Sequence, residues 1–223
     1  MAPDVSAPFF ALSWQMDDLP DLFYINLRHR ADRRAQLLAE LDRIGYPAAK
    51  VHRIEAERRQ NGALGCGLSH IRALEEVRRR GLQRAIILED DFMWRHRPER
   101  TLDTLRGALA QEWDVCLLAC SGEVVPGGRT PHVDMVADCR TTSGYMVRAD
   151  SVAPLLAVFR DTVDMPTNVD TPEAALRREH HIDQQWRHLQ GADPGWVVTD
   201  PVLGRQRSGH SDITHAHQQH PSD

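Results

Sequence analysis

Arg84-Ala-Ile-Ile-Leu-Glu-Asp-Asp-Phe92 decides how the rest of the chain is read. The apolar run 85–88 ends in three consecutive acids, Glu89, Asp90 and Asp91. A short β-branched run bounded by charge has the pattern of a buried strand in an α/β sheet. Acids at its carboxyl end then lie where open α/β sheets bind their ligands. Carboxylates crowded at one strand end repel each other unless a positive charge sits between them. A divalent cation meets that need: Mg²⁺ or Mn²⁺ takes one or two carboxylates and fills its other positions with water and substrate phosphates. The other reading of the same residues is an acidic strand-to-loop turn that caps the next helix and faces water.

Upstream, the aromatic and β-branched run 21–27 reads as a first strand. A helix is predicted over about 32–44, with Leu37, Leu38, Leu41 and Ile44 on one face and Gly45 and Pro47 to stop it. Between strand and helix lie Arg28, Arg30, Arg33 and Arg34. They form either a solvated helix face or a set of cations placed at a strand end and helix start to meet phosphate. Residues 51–54 fit a second strand. The stretch 62–70, Gly-Ala-Leu-Gly-Cys-Gly-Leu-Ser-His, reads as a glycine-rich loop that lets a ligand approach the backbone. It leads into a helix over about 70–80, capped by Ser69 and ended by Gly81. It lacks the Lys of a Walker motif.

Downstream, Pro98 opens a helix carrying Leu102, Leu105 and Leu109. Residues 114–119 read as a buried strand, 121–131 as a turn-rich loop and 141–148 as another strand. Asp150 or Ser151 caps a helix to about 159. Thr171 and Pro172 open a helical stretch through 180–188, and 196–199 form a last strand. Strands and helices alternate with no linker or repeat. This predicts one α/β domain over 21–213, an irregular lead-in over 1–20 and a flexible His-rich tail over 214–223.

The composition fits such a domain: 223 residues, 41% hydrophobic and 26% charged. A net charge of −5 argues against a general nucleic-acid binder. The cations are almost all Arg, with Lys50 the only lysine, and Arg grips a diphosphate in a bidentate way that Lys does not. Cys66, Cys116, Cys120 and Cys139 form no C-x-x-C pair. Cys116 and Cys120 lie in or beside an apolar run and read as reduced core residues. The stretch 1–15 has no basic n-region, and 9–14 is too short for an h-region or a span. The sequence therefore reads as a soluble, cytoplasmic protein with at most peripheral membrane contact.

Several blocks occur in a telling order: Tyr24-Ile-Asn-Leu with Asp32-Arg-Arg34, Gly65-Cys-Gly-Leu-Ser-His70, Ile87-Leu-Glu-Asp-Asp91, Ser143-Gly-Tyr-Met-Val147 with Leu155-Leu156, Ile182-Asp183, and Gln206 with Ser211-Asp-Ile213. Over about residues 21–213 this resembles the glycosyltransferase family 25 domain. That family includes bacterial lipooligosaccharide galactosyltransferases and the collagen galactosyltransferases. The resemblance implies a single Rossmann-like nucleotide-sugar transferase domain of GT-A type, with a mixed, mostly parallel sheet. It also implies a UDP-sugar donor carrying galactose or glucose, a Mn²⁺ or Mg²⁺ ion, inversion at the anomeric carbon, and a saccharide or peptide acceptor.

On that resemblance Glu89 and Asp91 hold the metal, with Asp91 the main ligand and Glu89 its partner or a contact to the ribose. Asn26, Leu27, Arg30, Arg34, Ser69, His70 and Asp90 bind the donor, and Arg33 shares the role of Arg30 and Arg34. An acceptor hydroxyl is a poor nucleophile near neutral pH, so inversion needs a general base. Asp183 is the candidate, against the reading of an exposed helix acid beside Arg187. Asp212 competes for that role, or completes the metal site with a histidine such as His215. Trp186 and Trp196 either stack on a sugar or base or belong to the core. Two other functions fit the same residues: an inactive binding or scaffold protein of this fold, and a nucleotidyl- or phosphoryl-transferase, which needs a further acidic cluster.

Overall fold

The computed structural model describes residues 18–190, 195–210 and 217–218. In chain order the elements are β1 (Asp21–Asn26), α1 (Ala31–Arg43), β2 (Val51–Glu55), α2 (Gly62–Arg79), β3 (Arg84–Glu89), β4 (Phe92–Trp94), α3 (Pro98–Leu109) and β5 (Val115–Leu117). They continue with β6 (Ser121–Thr130), β7 (Val133–Arg140), β8 (Gly144–Arg148), α4 (Ala149–Val163), α5 (Ile182–Gln185), β9 (Trp196–Thr199), β10 (Gly204–Gln206), β11 (Gly209–His210) and β12 (His217–Gln218).

Eight strands form one mixed sheet in the order β2-β1-β3-β8-β5-β9-β7-β6. β1 pairs in parallel with β2 and β3, and β5 with β9. Only β8 and β7 run against the rest. β3 lies near the middle and is buried on both faces, as its continuous apolar run requires. Alternate side chains go to opposite cores. Ala85 and Ile87 pack with Leu74 and Val77 of α2 and Leu155 and Phe159 of α4. Ile86 and Leu88 pack with Leu37 and Leu41 of α1 and Leu105 of α3. The sheet is thus covered by helices on both sides, the arrangement expected of an α/β chain.

Several local expectations change. α2 starts at Gly62 rather than near residue 70, and its N-cap is Asn61, whose side chain accepts from Ala63 and Leu64 N–H. Ser69 lies inside the helix and donates to Gly65 O at 2.6 Å. The glycines serve packing: a Cβ on Gly65 would stand 2.6 Å from Glu57 O, and one on Gly67 2.7 Å from Val163 Cγ1. Residues 121–130 are a strand, not a loop, paired antiparallel with β7. Pro126, Gly127 and Gly128 fall where the register shifts between Val125 and Thr130, which lets a ladder tolerate them. The stretch 171–188 is broken into 3₁₀ turns around the short α5 rather than one helix.

The expectation of a reduced Cys120 is also corrected. Cys120 and Cys139 form a disulfide, with Cα atoms 5.4 Å apart, at the base of the β6–β7 hairpin. The run 115–119 hides a partner that lies 19 residues away. Cys116 is free and buried, as expected. Among the described residues no helix is long and apolar enough to cross a membrane.

Candidate active site

β1 and β3 are parallel neighbours, with Ile25 opposite Glu89. Their carboxyl ends therefore deliver Asn26 and the acid triplet to one edge of the sheet. β8 runs the other way and starts at Gly144, opposite Leu88, so Thr141, Thr142 and Ser143 join them. A cleft of about 680 Å³ opens at this edge. Glu89, Asp90, Asp91, Arg33, Cys66, His70, Thr141, Thr142 and Asp183 are among the residues that line it.

Each acid is held differently. Asp90 accepts from Asn26 Nδ2 at 2.8 Å and from Arg33 Nη1 at 3.0 Å. Burial pushes its carboxyl up, and Asn26 and Arg33 counter only part of that. Glu89 Oε1 accepts from Thr142 Oγ1 at 2.8 Å and lies 3.3 Å from His70 Nε2. Burial pushes Glu89 up, but the His70 and Thr142 contacts and the Arg33 charge outweigh it, and the net shift is downward. Asp91 has less support. Its Oδ2 lies 3.5 Å from Arg33 Nη1, while its Oδ1 is buried with no hydrogen-bond partner. Burial, then the Glu89 charge, push its carboxyl up to about 7. One guanidinium faces three crowded carboxylates, and one oxygen is left unmet. A divalent cation would supply the missing positive charge and the missing partner, so the donor set fits such an ion.

The C-terminal segment is fastened to the triplet. β10 pairs antiparallel with β4, placing Gln206 opposite Phe92. Arg207 N–H donates to Asp91 O at 2.7 Å. Gln206 thereby reaches the cleft.

The other sequence candidates divide. Leu27 lines the cleft. Asn26 is buried and spends its amide on Asp90 and on Arg30 O, so it positions an acid rather than facing a ligand. Arg30 points to Asp32, at 2.8 Å. Of Arg30, Arg33 and Arg34, only Arg33 is in the cleft wall, where its guanidinium meets Asp90 and Asp91. Ser69 is buried and accepts from Glu57 N–H at 2.9 Å. His70 is fully buried, with Nδ1 3.1 Å from the Tyr145 hydroxyl. Trp186 and Trp196 are buried in the core, stacked edge-to-face at 5.4 Å, and stand outside the cleft wall. Asp212 and His215 lie outside the described residues.

Asp183 stands at the start of α5. Its Oδ2 accepts from the Thr141 N–H at 3.2 Å, which fixes the carboxylate at the cleft wall. Thr141 has φ of +90°, a conformation a β-branched residue seldom adopts. Sequence reasoning missed Thr141, Thr142 and Cys66 as site residues. The only signal was position: Thr141 and Thr142 adjoin the block that starts at Ser143, and Cys66 lies inside the block 65–70. Cys66 is half-buried, and burial, with the charges of Glu89, Asp183 and Asp91, pushes its thiol well above the usual range.

No family model matches the chain. In sequence it is similar to procollagen galactosyltransferase 1 of Danio rerio, 23% identical over 216 residues, covering 82% of this chain and 35% of that protein. The chain thus spans about a third of that relative's length. In fold it is similar to a glycosyltransferase involved in the glycosylation of the major capsid of PBCV-1, with a TM-score of 0.50 at 13% identity over 81% of this chain and 80% of that one. A mannose-1-phosphate geranyltransferase from Thermus thermophilus aligns with a TM-score of 0.48 at 12% identity, over 80% and 72%. The fold is that of the GT-A type nucleotide-sugar transferases.

Proposed function

We propose that this chain is a metal-dependent, inverting glycosyltransferase of family 25. It moves a hexose, galactose or glucose, from a UDP-sugar to a hydroxyl of a saccharide or peptide acceptor. The observation that carries this reading is the acid triplet at the end of β3, with Asp91 Oδ1 buried and unpartnered in the cleft wall. The similarity to a galactosyltransferase and the shared fold support it.

Asp91 and Glu89 would hold a Mn²⁺ or Mg²⁺ ion. When bound, that ion supplies positive charge to the diphosphate that carries the sugar and leaves with the electron pair. Arg33 adds charge-assisted hydrogen bonds to the same phosphates or holds Asp90 and Asp91 in place. His70 and Thr142 orient Glu89 from behind. Asp183 takes the proton of the acceptor hydroxyl as that oxygen attacks the anomeric carbon from the face opposite the departing diphosphate, which inverts the configuration. The Thr141 N–H keeps the Asp183 carboxylate aimed. An inactive scaffold is less well supported, because the triplet, the cleft and the positioned carboxylate occur together.

The test is release of UDP from UDP-galactose and UDP-glucose with Mn²⁺, with Mg²⁺ and with EDTA. Turnover that requires the cation supports the reading. Cation-independent turnover, or turnover of a nucleoside triphosphate instead, contradicts it.

A further inference from the structure

Beside the triplet, the inner wall of the cleft carries a second set of ligand atoms of different chemistry. Cys66 and His70 stand at i and i+4 on α2, the spacing that puts two side chains on one helix face. Both face Glu89 at the end of β3. Cys66 Sγ, a ring nitrogen of His70 and a carboxylate oxygen of Glu89 all lie within 4.8 Å of one another. His70 Nε2 and Glu89 Oε1 are 3.3 Å apart. Bonds of about 2.0–2.1 Å from a tetrahedral zinc ion to nitrogen and oxygen require a separation of about that length.

The outer contacts suit the same role. A metal-bound histidine ordinarily donates its other ring N–H to a fixed acceptor. His70 Nδ1 has the Tyr145 hydroxyl at 3.1 Å. That hydroxyl can accept as readily as donate, so it serves the ring with or without an ion on Nε2. The Glu89 carboxylate is steadied by Thr142 Oγ1 at 2.8 Å. All three ligand residues line the cleft, so an ion has a way in.

We propose that Cys66, His70 and Glu89 form a site for a thiophilic divalent cation, Zn²⁺ in the first instance, with its fourth position open to the cleft. A thiolate and an imidazole select against Mg²⁺ and Mn²⁺ and in favour of Zn²⁺. On binding, the Cys66 thiol gives its proton to solvent. The site shares Glu89 with the acid triplet, so an ion held here takes that carboxylate away from the hard cation. It does not rest on the proposed glycosyl transfer.

The test is titration of the metal-free chain with Co²⁺, which reports its ligands by absorption. The wild type should develop a thiolate-to-cobalt charge-transfer band and tetrahedral d–d bands that saturate at one equivalent and vanish on adding Zn²⁺. Cys66→Ser, checked for folding by circular dichroism, should lose the charge-transfer band and bind Zn²⁺ at least roughly tenfold more weakly. Cys116→Ser changes a thiol buried in the opposite core and should keep both. A wild type without the charge-transfer band, or a band that survives in Cys66→Ser, overturns the site. Neither readout depends on turnover, so failure here is distinct from failure of the transferase reading.

Discussion

The backbone N–H of Thr141 donates to Asp183 Oδ2 at 3.2 Å, joining residues 42 apart in the chain. Thr141 holds φ at +90° to do so. That conformation costs a non-glycine residue on the order of 1–3 kcal/mol and persists only where neighbours over-determine it. Here the neighbours are the Cys120–Cys139 disulfide two residues upstream and the Ser143 N–H, which donates to Thr141 Oγ1 at 3.3 Å. The strain sits at the residue that aims the proposed base.

Asp183→Asn separates the carboxylate's aim from its chemistry. The amide oxygen can still accept from Thr141 N–H, so folding and UDP affinity should be unchanged. The amide cannot take a proton, so transfer should slow by roughly 10²–10⁴-fold. Steady-state kinetics with a separate UDP-binding measurement checks this. An unchanged transfer rate would move the base elsewhere, with Asp212 next.

Asp91 makes stability depend on pH. Its carboxyl is raised from an ordinary 3.8 to about 7, so the folded chain holds that proton more tightly than the unfolded chain. The resulting stabilisation is complete below about 3.8 and is lost as pH rises through about 7. The Glu89 shift is downward, so its effect falls in a lower, acid window. Without divalent cation, the melting temperature should fall between about pH 4 and about pH 7. Asp91→Asn should flatten that decline. Equal slopes in wild type and variant would contradict the assignment.

Gly67→Ala tests the packing of α2 against α4 and α5. The added Cβ would meet Val163 Cγ1 at 2.7 Å and Ile182 Cγ2 at 3.2 Å. Overpacking of this kind costs about 1–3 kcal/mol, and about 1 kcal/mol lowers the midpoint of such a domain by about 2–4 °C. Urea unfolding measures it. No loss of stability would mean that the helices are not packed this closely.

The disulfide has a direct count. Protein purified without reductant and then denatured should titrate as two thiols, Cys66 and Cys116. Four thiols would contradict the Cys120–Cys139 bond.

What sequence alone reveals here follows from how local each pattern is. β1, β3, α1 and α3 are legible because their apolar spacing and their Pro or Gly punctuation lie within the element itself. The acid triplet is legible for the same reason. The pairings that make it a site are not local. Asn26 meets Asp90, and His70 meets Glu89, because β1 and α2 are neighbours of β3 in space. The choice among Arg30, Arg33 and Arg34 depends on the helical phase of α1, which the arginine cluster does not declare. The start of α2 is misread because glycine costs a helix about 1 kcal/mol relative to alanine. Close packing against Glu57 and Val163 overrides that propensity.

The most direct test of the central claim is thermal unfolding with UDP, GDP, CMP and ATP, each with and without Mn²⁺, for wild type and Asp91→Asn. A ligand at about 100 times its dissociation constant adds roughly 2.7 kcal/mol, a shift of several degrees for a domain of this size. The account predicts that UDP shifts the wild type only when Mn²⁺ is present, and that Asp91→Asn loses the shift. No response to UDP with any cation, or an undiminished response in Asp91→Asn, would contradict it.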